Sequence, residues 1–177
     1  MPDVEEIPEI SGVRVIHLTV HEDDRGRYVE TWRREWVPGA REMVQGNRSR
    51  SNPGVLRAFH YHMRQIDYWY LGDAHVMVAL VDLRRSSPTA GHTWQVIAEP
   101  DDEIGVYIPP GVAHGFLAIG PTSLSYLVDN YYDGSDELGV AWDDPDMGVT
   151  WPTVSPVLSG RDRMNPRLRD IPDDRRP

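Results

Sequence analysis

The sequence predicts an all-β fold, a sandwich or jelly-roll barrel. Three observations carry this. Short apolar segments recur along the 177 residues, and 15 glycines and 15 prolines punctuate them. Segments with helical period are scarce, whereas strand-like runs are closely spaced. The strands expected in order are Val13–Val20, Arg27–Trp32, Val55–His60, Asp67–Leu71, His75–Leu83, Thr93–Ile97, Val106–Ile108, Gly115–Ile119 and Ser123–Val128. Within His75–Leu83, Val76, Val78, Leu80 and Asp82 share one face, and Met77, Ala79, Val81 and Leu83 the other. Both faces are largely apolar, the pattern of a strand between two sheets. Single helical turns fit Trp32–Val37 and Leu158–Met164. Many short strands with little helix suit a sandwich or jelly roll.

One domain over residues 1–177 is expected, with the proline-rich, charged stretch of about 165–177 as a loosely packed tail. No repeat or linker interrupts it. There is no cysteine, which excludes disulfide and thiolate–metal chemistry. There is no lysine either, since all 18 basic residues are arginine. A formal charge of -10 argues against nucleic acid as a partner. A local arginine cluster could still hold a small anion. No apolar run reaches the roughly 18 residues of a membrane span. The start, MPDVEEIPEI, lacks the basic and apolar regions of a secretory signal, so a cytoplasmic location is expected.

The chemistry concentrates in LRAFHYHMRQIDYWYLG. His60 and His62 are two apart and point the same way if extended. Asp67 joins them if a hairpin returns the chain, and His114 sits in IPPGVAHGF. Three imidazoles and a carboxylate suit a divalent metal, acid–base work without one, or a set of hydrogen-bonded half-buried histidines. The layout resembles the cupin double motif, with aspartate where that motif has glutamate.

A longer ordered set of segments points further. HEDDRGRYVETW, VQGNRSRSNPGVLRAFHYH, VALVDLRRSSPTAGHTWQV, IPPGVAHGFLAI, YLVDNYYDGSDELGVAWDDPDMGVTWP and LSGRDRMNP run nearly end to end. In this order they resemble the dTDP-4-dehydrorhamnose 3,5-epimerases, deoxysugar-nucleotide epimerases with a cupin-like jelly roll. The resemblance implies a catalytic base at His60, a carboxylate orienting it at Asp144 (Asp143 is adjacent) and a catalytic tyrosine at Tyr126. It implies ligand contacts at Arg25, Glu30, Gln45, Asn47 and Arg57, and a sugar pocket lined by His114. It also implies a dTDP-sugar substrate, no cofactor, and a homodimer whose N-terminal strands help build the partner's site.

The chain departs from the family at three places. Ala58 stands for a glycine and His62 for a glutamine or similar residue. Asp67 stands where the family has a catalytic lysine, and no other lysine exists to replace it. Removing one such electrostatic donor typically costs about 10²- to 10³-fold. The first expectation is an epimerase of a dTDP-4-keto-6-deoxyhexose, inverting C3, C5 or both, with His62 or Arg57 supplying the missing donor and Asp67 in the substrate pocket. The alternatives are a metal-binding cupin using His60, His62, Asp67 and His114, and a non-catalytic sugar-nucleotide-binding homologue. A 3,4-ketoisomerase, which also uses a His-x-His pair, fits the Trp-x-Asp-Pro segment less well.

Overall fold

A computed structural model describes residues 2–177. Thirteen strands form: β1 (Asp3–Glu6), β2 (Arg14–His17), β3 (Val20–Asp23), β4 (Gly26–Val29), β5 (Gln45–Ser51), β6 (Leu56–Tyr61), β7 (Asp67–Tyr70), β8 (Val76–Asp82), β9 (Thr93–Ala98), β10 (Ile104–Ile108), β11 (Val112–Ala118), β12 (Thr122–Val128) and β13 (Leu138–Gly139). Six make one sheet in the order β1-β2-β10-β7-β12-β5, and five make a second in the order β13-β6-β11-β8-β9. β3 and β4 pair as a separate hairpin. Helix is confined to single 3-10 turns, including Arg34–Trp36 and Asp162–Met164. The fold is the all-β, cupin-like jelly roll that the sequence predicts.

The main core lies between the two large sheets. Val15, Trp69, Leu71, Val106, Ile108 and Leu124 enter it from one side, and Val76, Val78, Leu80 and Phe116 from the other. β8 is wholly buried, but its second face does not meet another sheet. Met77, Ala79 and Val81 are instead covered by Met147, Trp151 and Ile171 from the C-terminal segments. That corrects the expected packing: an apolar outer face needs a cover, and here irregular chain supplies it.

The C-terminal stretch likewise packs more firmly than expected. Ile171 is buried, and the Tyr61 hydroxyl donates to the Arg175 carbonyl at 2.8 Å. The Arg85 amide donates to the Pro177 carbonyl at 3.1 Å. The Arg176 guanidinium donates to the carbonyls of Leu168, Arg169 and Ile171.

Strand boundaries differ in instructive places. Val13–Val20 divides between β2 and β3: pairing with β10 runs on to the Leu18 amide, which donates to the Glu103 carbonyl at 3.0 Å, and β3 then pairs with β4 alone. β4 ends at Val29, before Trp32. β1 and β5 were not expected. β5, QGNRSRS, has no hydrophobic alternation, because its inward positions Gln45, Asn47 and Ser49 line a polar cavity. Gly115 marks a close approach of β11 to β6: a Cβ there would lie 2.4 Å from that of Ala58. The register shifts at this point, between His114 and Phe116.

Candidate active site

A cavity of about 360 Å³ opens between the two sheets. The five-stranded sheet contributes Arg57 and His60 from β6, and His114 from β11. His62 lies just beyond β6. The six-stranded sheet contributes Gln45 and Asn47 from β5, Asp67 from β7 and Tyr126 from β12. Eight of the predicted site residues therefore meet in one place. Register explains much of this. His60 pairs with His114 across β6 and β11, and Tyr126 lies between Asn47 and Trp69.

His60 is held by a carboxylate, but not by the predicted one. Its Nε2 lies 2.7 Å from Asp162 Oδ1. A carboxylate only accepts, so Nε2 donates and Nδ1 keeps its lone pair. Asp162 is buried, and burial alone would raise its carboxyl; the hydrogen bond and charge of His60, followed by Ser159, outweigh this and hold it below its ordinary value. It therefore remains an anion facing the imidazole, an arrangement able to stabilise an imidazolium.

Asp144 is buried elsewhere, and its two oxygens are committed to backbone. Oδ1 accepts from the Asp146 amide at 3.1 Å, capping the turn Pro145–Met147, and Oδ2 accepts from the Leu168 amide at 2.6 Å. Its neighbour Asp143 pairs with Arg167 at 3.2 Å. Neither carboxylate orients His60. The aspartate–proline pair is a turn signal, and in the structure Asp144 is a turn cap.

Across the cavity, the Tyr126 phenol is pushed up, first by burial, then by the charges of Asp67 and Glu137, with Arg57 opposing. It stays protonated and can donate. Arg57 is exposed toward solvent; its guanidinium donates to Ser51 Oγ at 3.1 Å and has no carboxylate partner among the described residues. That leaves a fork available for a phosphate oxygen.

The remaining wall carries His62, Asp67 and His114, whose ligand atoms lie within 4.8 Å of one another. Burial pushes the Asp67 carboxyl up, with His62 and Gln65 opposing. Burial, then the neighbouring His62 and His60, holds His114 well below the usual imidazole value, so it is neutral. His60 is not part of this group; its Nε2 is bonded to Asp162.

Arg25 and Glu30 lie outside the cavity. Arg25 is exposed on the β3–β4 hairpin and forms an ion pair with Asp23, and Glu30 pairs with Arg33. Several cavity residues carried no expected role: Gln65, Tyr132 and Glu137 also line the space. The Tyr132 ring is 73% exposed. Trp69 packs edge-on against His114 and Phe116, which makes it core rather than a stacking platform.

No helix among the described residues is long and apolar enough to cross a membrane. Residues 8–170 match the family model described as dTDP-4-dehydrorhamnose 3,5-epimerase. The spore coat polysaccharide biosynthesis protein SpsL of Bacillus subtilis (strain 168) is 39% identical over 148 residues, covering 81% of this chain and 97% of that protein. The dTDP-4-dehydrorhamnose 3,5-epimerase of Shigella flexneri is 33% identical over 164 residues, covering 87% and 90%. Among solved structures, the dTDP-6-deoxy-D-glucose-3,5-epimerase of Legionella pneumophila Philadelphia 1, in complex with dTDP-4-keto-L-rhamnose, superposes with a TM-score of 0.90 at 28% identity, covering 100% of this chain and 98% of that one. With its cavity, its histidine–aspartate pair and its facing tyrosine, the chain belongs to the dTDP-4-dehydrorhamnose 3,5-epimerase family.

Proposed function

We propose that the protein epimerises a dTDP-4-keto-6-deoxyhexose at C3, C5 or both. The observation that carries this reading is the His60–Asp162 pair at 2.7 Å on a cavity whose opposite sheet presents Tyr126. A hydrogen next to a ketone is acidic enough to remove only when the enolate is stabilised. His60 Nδ1 takes that hydrogen, and Asp162 stabilises the resulting imidazolium. A positioned base of this kind contributes about 10²- to 10⁴-fold. Tyr126, facing from the other sheet, returns a proton to the opposite face of the carbon, and the centre inverts.

The substrate's other end has matching chemistry. Arg57 offers paired donors to the diphosphate. Gln45 and Asn47 offer amides at the cavity wall, and the exposed Tyr132 ring offers a stacking face to the thymine. Arg25 and Glu30 belong to a homodimer in this reading. The β3–β4 hairpin is exposed throughout except at Val29, with Tyr28 67% exposed, and it is available to complete a partner's cavity. A nucleotide-sugar substrate also fits a cytoplasmic location.

The test is deuterium uptake. Incubation of dTDP-4-keto-6-deoxyglucose with the protein in heavy water should label C3, C5 or both, read by NMR. Tight dTDP binding with no uptake from several such sugars would make it a binding homologue, the reading that family membership does not favour.

A further inference from the structure

His62, Asp67 and His114 do nothing in the proton transfers just described, yet Asp67 and His114 are buried on the cavity wall and His62 is nearly so. Asp67 is 3% exposed and His114 5%. His62 Nδ1 donates to the Asp136 carbonyl at 2.8 Å, and His114 Nδ1 donates to the Val112 carbonyl at 3.1 Å. A carbonyl cannot donate, so each ring carries a hydrogen on Nδ1, and its neutral tautomer presents an Nε2 lone pair to the cavity. Asp67 adds carboxylate oxygens, with Oδ2 3.6 Å from His62 Nε2, too far for a hydrogen bond. Three acceptors therefore converge.

Among the described residues the one side-chain donor that meets them is the Gln65 amide nitrogen, 3.3 Å from both His62 Nε2 and Asp67 Oδ2. A weakly positive amide group thus occupies the space between two of the acceptors. The His114 ring lines the cavity, and only its Nδ1 has a hydrogen-bond partner among the described residues. A convergent set of acceptors with so few donors is a chemistry suited to a cation.

We propose that His62, Asp67 and His114 bind a divalent transition metal, with Gln65 displaced and an open coordination position facing the cavity. Two imidazole nitrogens and one carboxylate suit zinc, manganese or iron, and three protein ligands with an open position is the pattern of a metal that meets substrate. The bonds from both Nδ1 atoms to carbonyls are the outer contacts that fix the rings of metal-bound histidines. The cation also answers a difficulty in the epimerase reading, on which this second part rests: a bare carboxylate beside a developing enolate opposes it. A metal on Asp67 reverses the local charge and polarises the ketone oxygen.

Binding is measured independently of turnover. Full-length, tag-free protein is stripped with chelator and titrated with Zn²⁺, Mn²⁺ and Co²⁺, with elemental analysis and the Co²⁺ visible spectrum as readouts. About one ion per chain is expected. Asp67→Asn, close to isosteric, and His62→Ala should each weaken it at least about 100-fold, while His92→Ala, at an exposed site outside the cavity, should not. Failure of all three ions to bind, or binding unchanged in both cavity variants, overturns the site. Stoichiometric binding without turnover leaves the site standing and removes the epimerase reading. Full deuterium exchange in the stripped protein overturns the metal's catalytic part.

Discussion

Two sides of one cavity use the same residue types in opposite ways. On one side, His60 donates from Nε2 to Asp162 and leaves Nδ1 free. On the other, His62 and His114 donate from Nδ1 to backbone carbonyls and leave Nε2 free. The first arrangement stabilises an imidazolium, so it suits a base. The second fixes two rings whose Nε2 atoms converge, so it suits a ligand set. What separates them is which ring nitrogen is already occupied, and by an anion or by a neutral carbonyl.

The sharpest way to break this contrast is Asp162→Asn. It should lower the exchange rate by about 10²-fold or more, chiefly through kcat, because the amide can favour the wrong tautomer and no longer stabilises the imidazolium. Cation binding by the variant should match wild type; a parallel loss would mean that the two sides are not separate. Tyr126→Phe comes next. Loss of its proton return should cost about 10²-fold in net epimerisation, while exchange at the carbon served by His60 persists, as read by comparing product inversion with deuterium uptake.

Stability variants sharpen the contrast from outside the cavity. Ile171→Ala removes the cover of β8's outer face and should cost about 2–4 kcal/mol, measured by denaturant unfolding. If it costs nothing, the tail is not packed as described. Asp82 is a buried carboxylate with all its partners: Arg84 Nε donates at 2.8 Å, Ser87 Oγ at 2.6 Å and Thr89 Oγ1 at 2.7 Å. Burial raises its carboxyl, but these bonds outweigh it and bring it down to about 2. A value depressed by folding adds stability that is complete above the ordinary carboxylate range and disappears as pH falls through about 2. Asp82→Asn should therefore cost about 2 kcal/mol at neutral pH, with Tm measurements showing the gap to wild type closing between about pH 5 and pH 2. A gap that stays constant on acidification would contradict this role.

The sequence was most legible where patterns are local. The two apolar faces of β8 and the shared side of His60 and His62 follow from strand period alone. The partner of His60 was not legible in that way. Asp162 lies 102 residues away, in the short turn of LSGRDRMNP, a segment that resembles the family's but whose aspartate carried no expected role. Only the docking of the C-terminal segment beside β6 and β13 brings it there. Asp144 misled because an aspartate before proline serves turn capping equally well. β5 was hidden for a related reason: hydrophobic alternation reveals strands only where one face is apolar, and the inward face of β5 is polar because it lines the cavity.

The central claim is that His60, held by Asp162, is the base. Its most direct test is position-resolved deuterium uptake from heavy water into dTDP-4-keto-6-deoxyglucose, comparing wild type with His60→Asn. The account predicts label at C3, C5 or both with wild type, and about 10²- to 10⁴-fold slower uptake at the carbon His60 serves in a variant that still binds dTDP. Uptake at the wild-type rate in His60→Asn would contradict it.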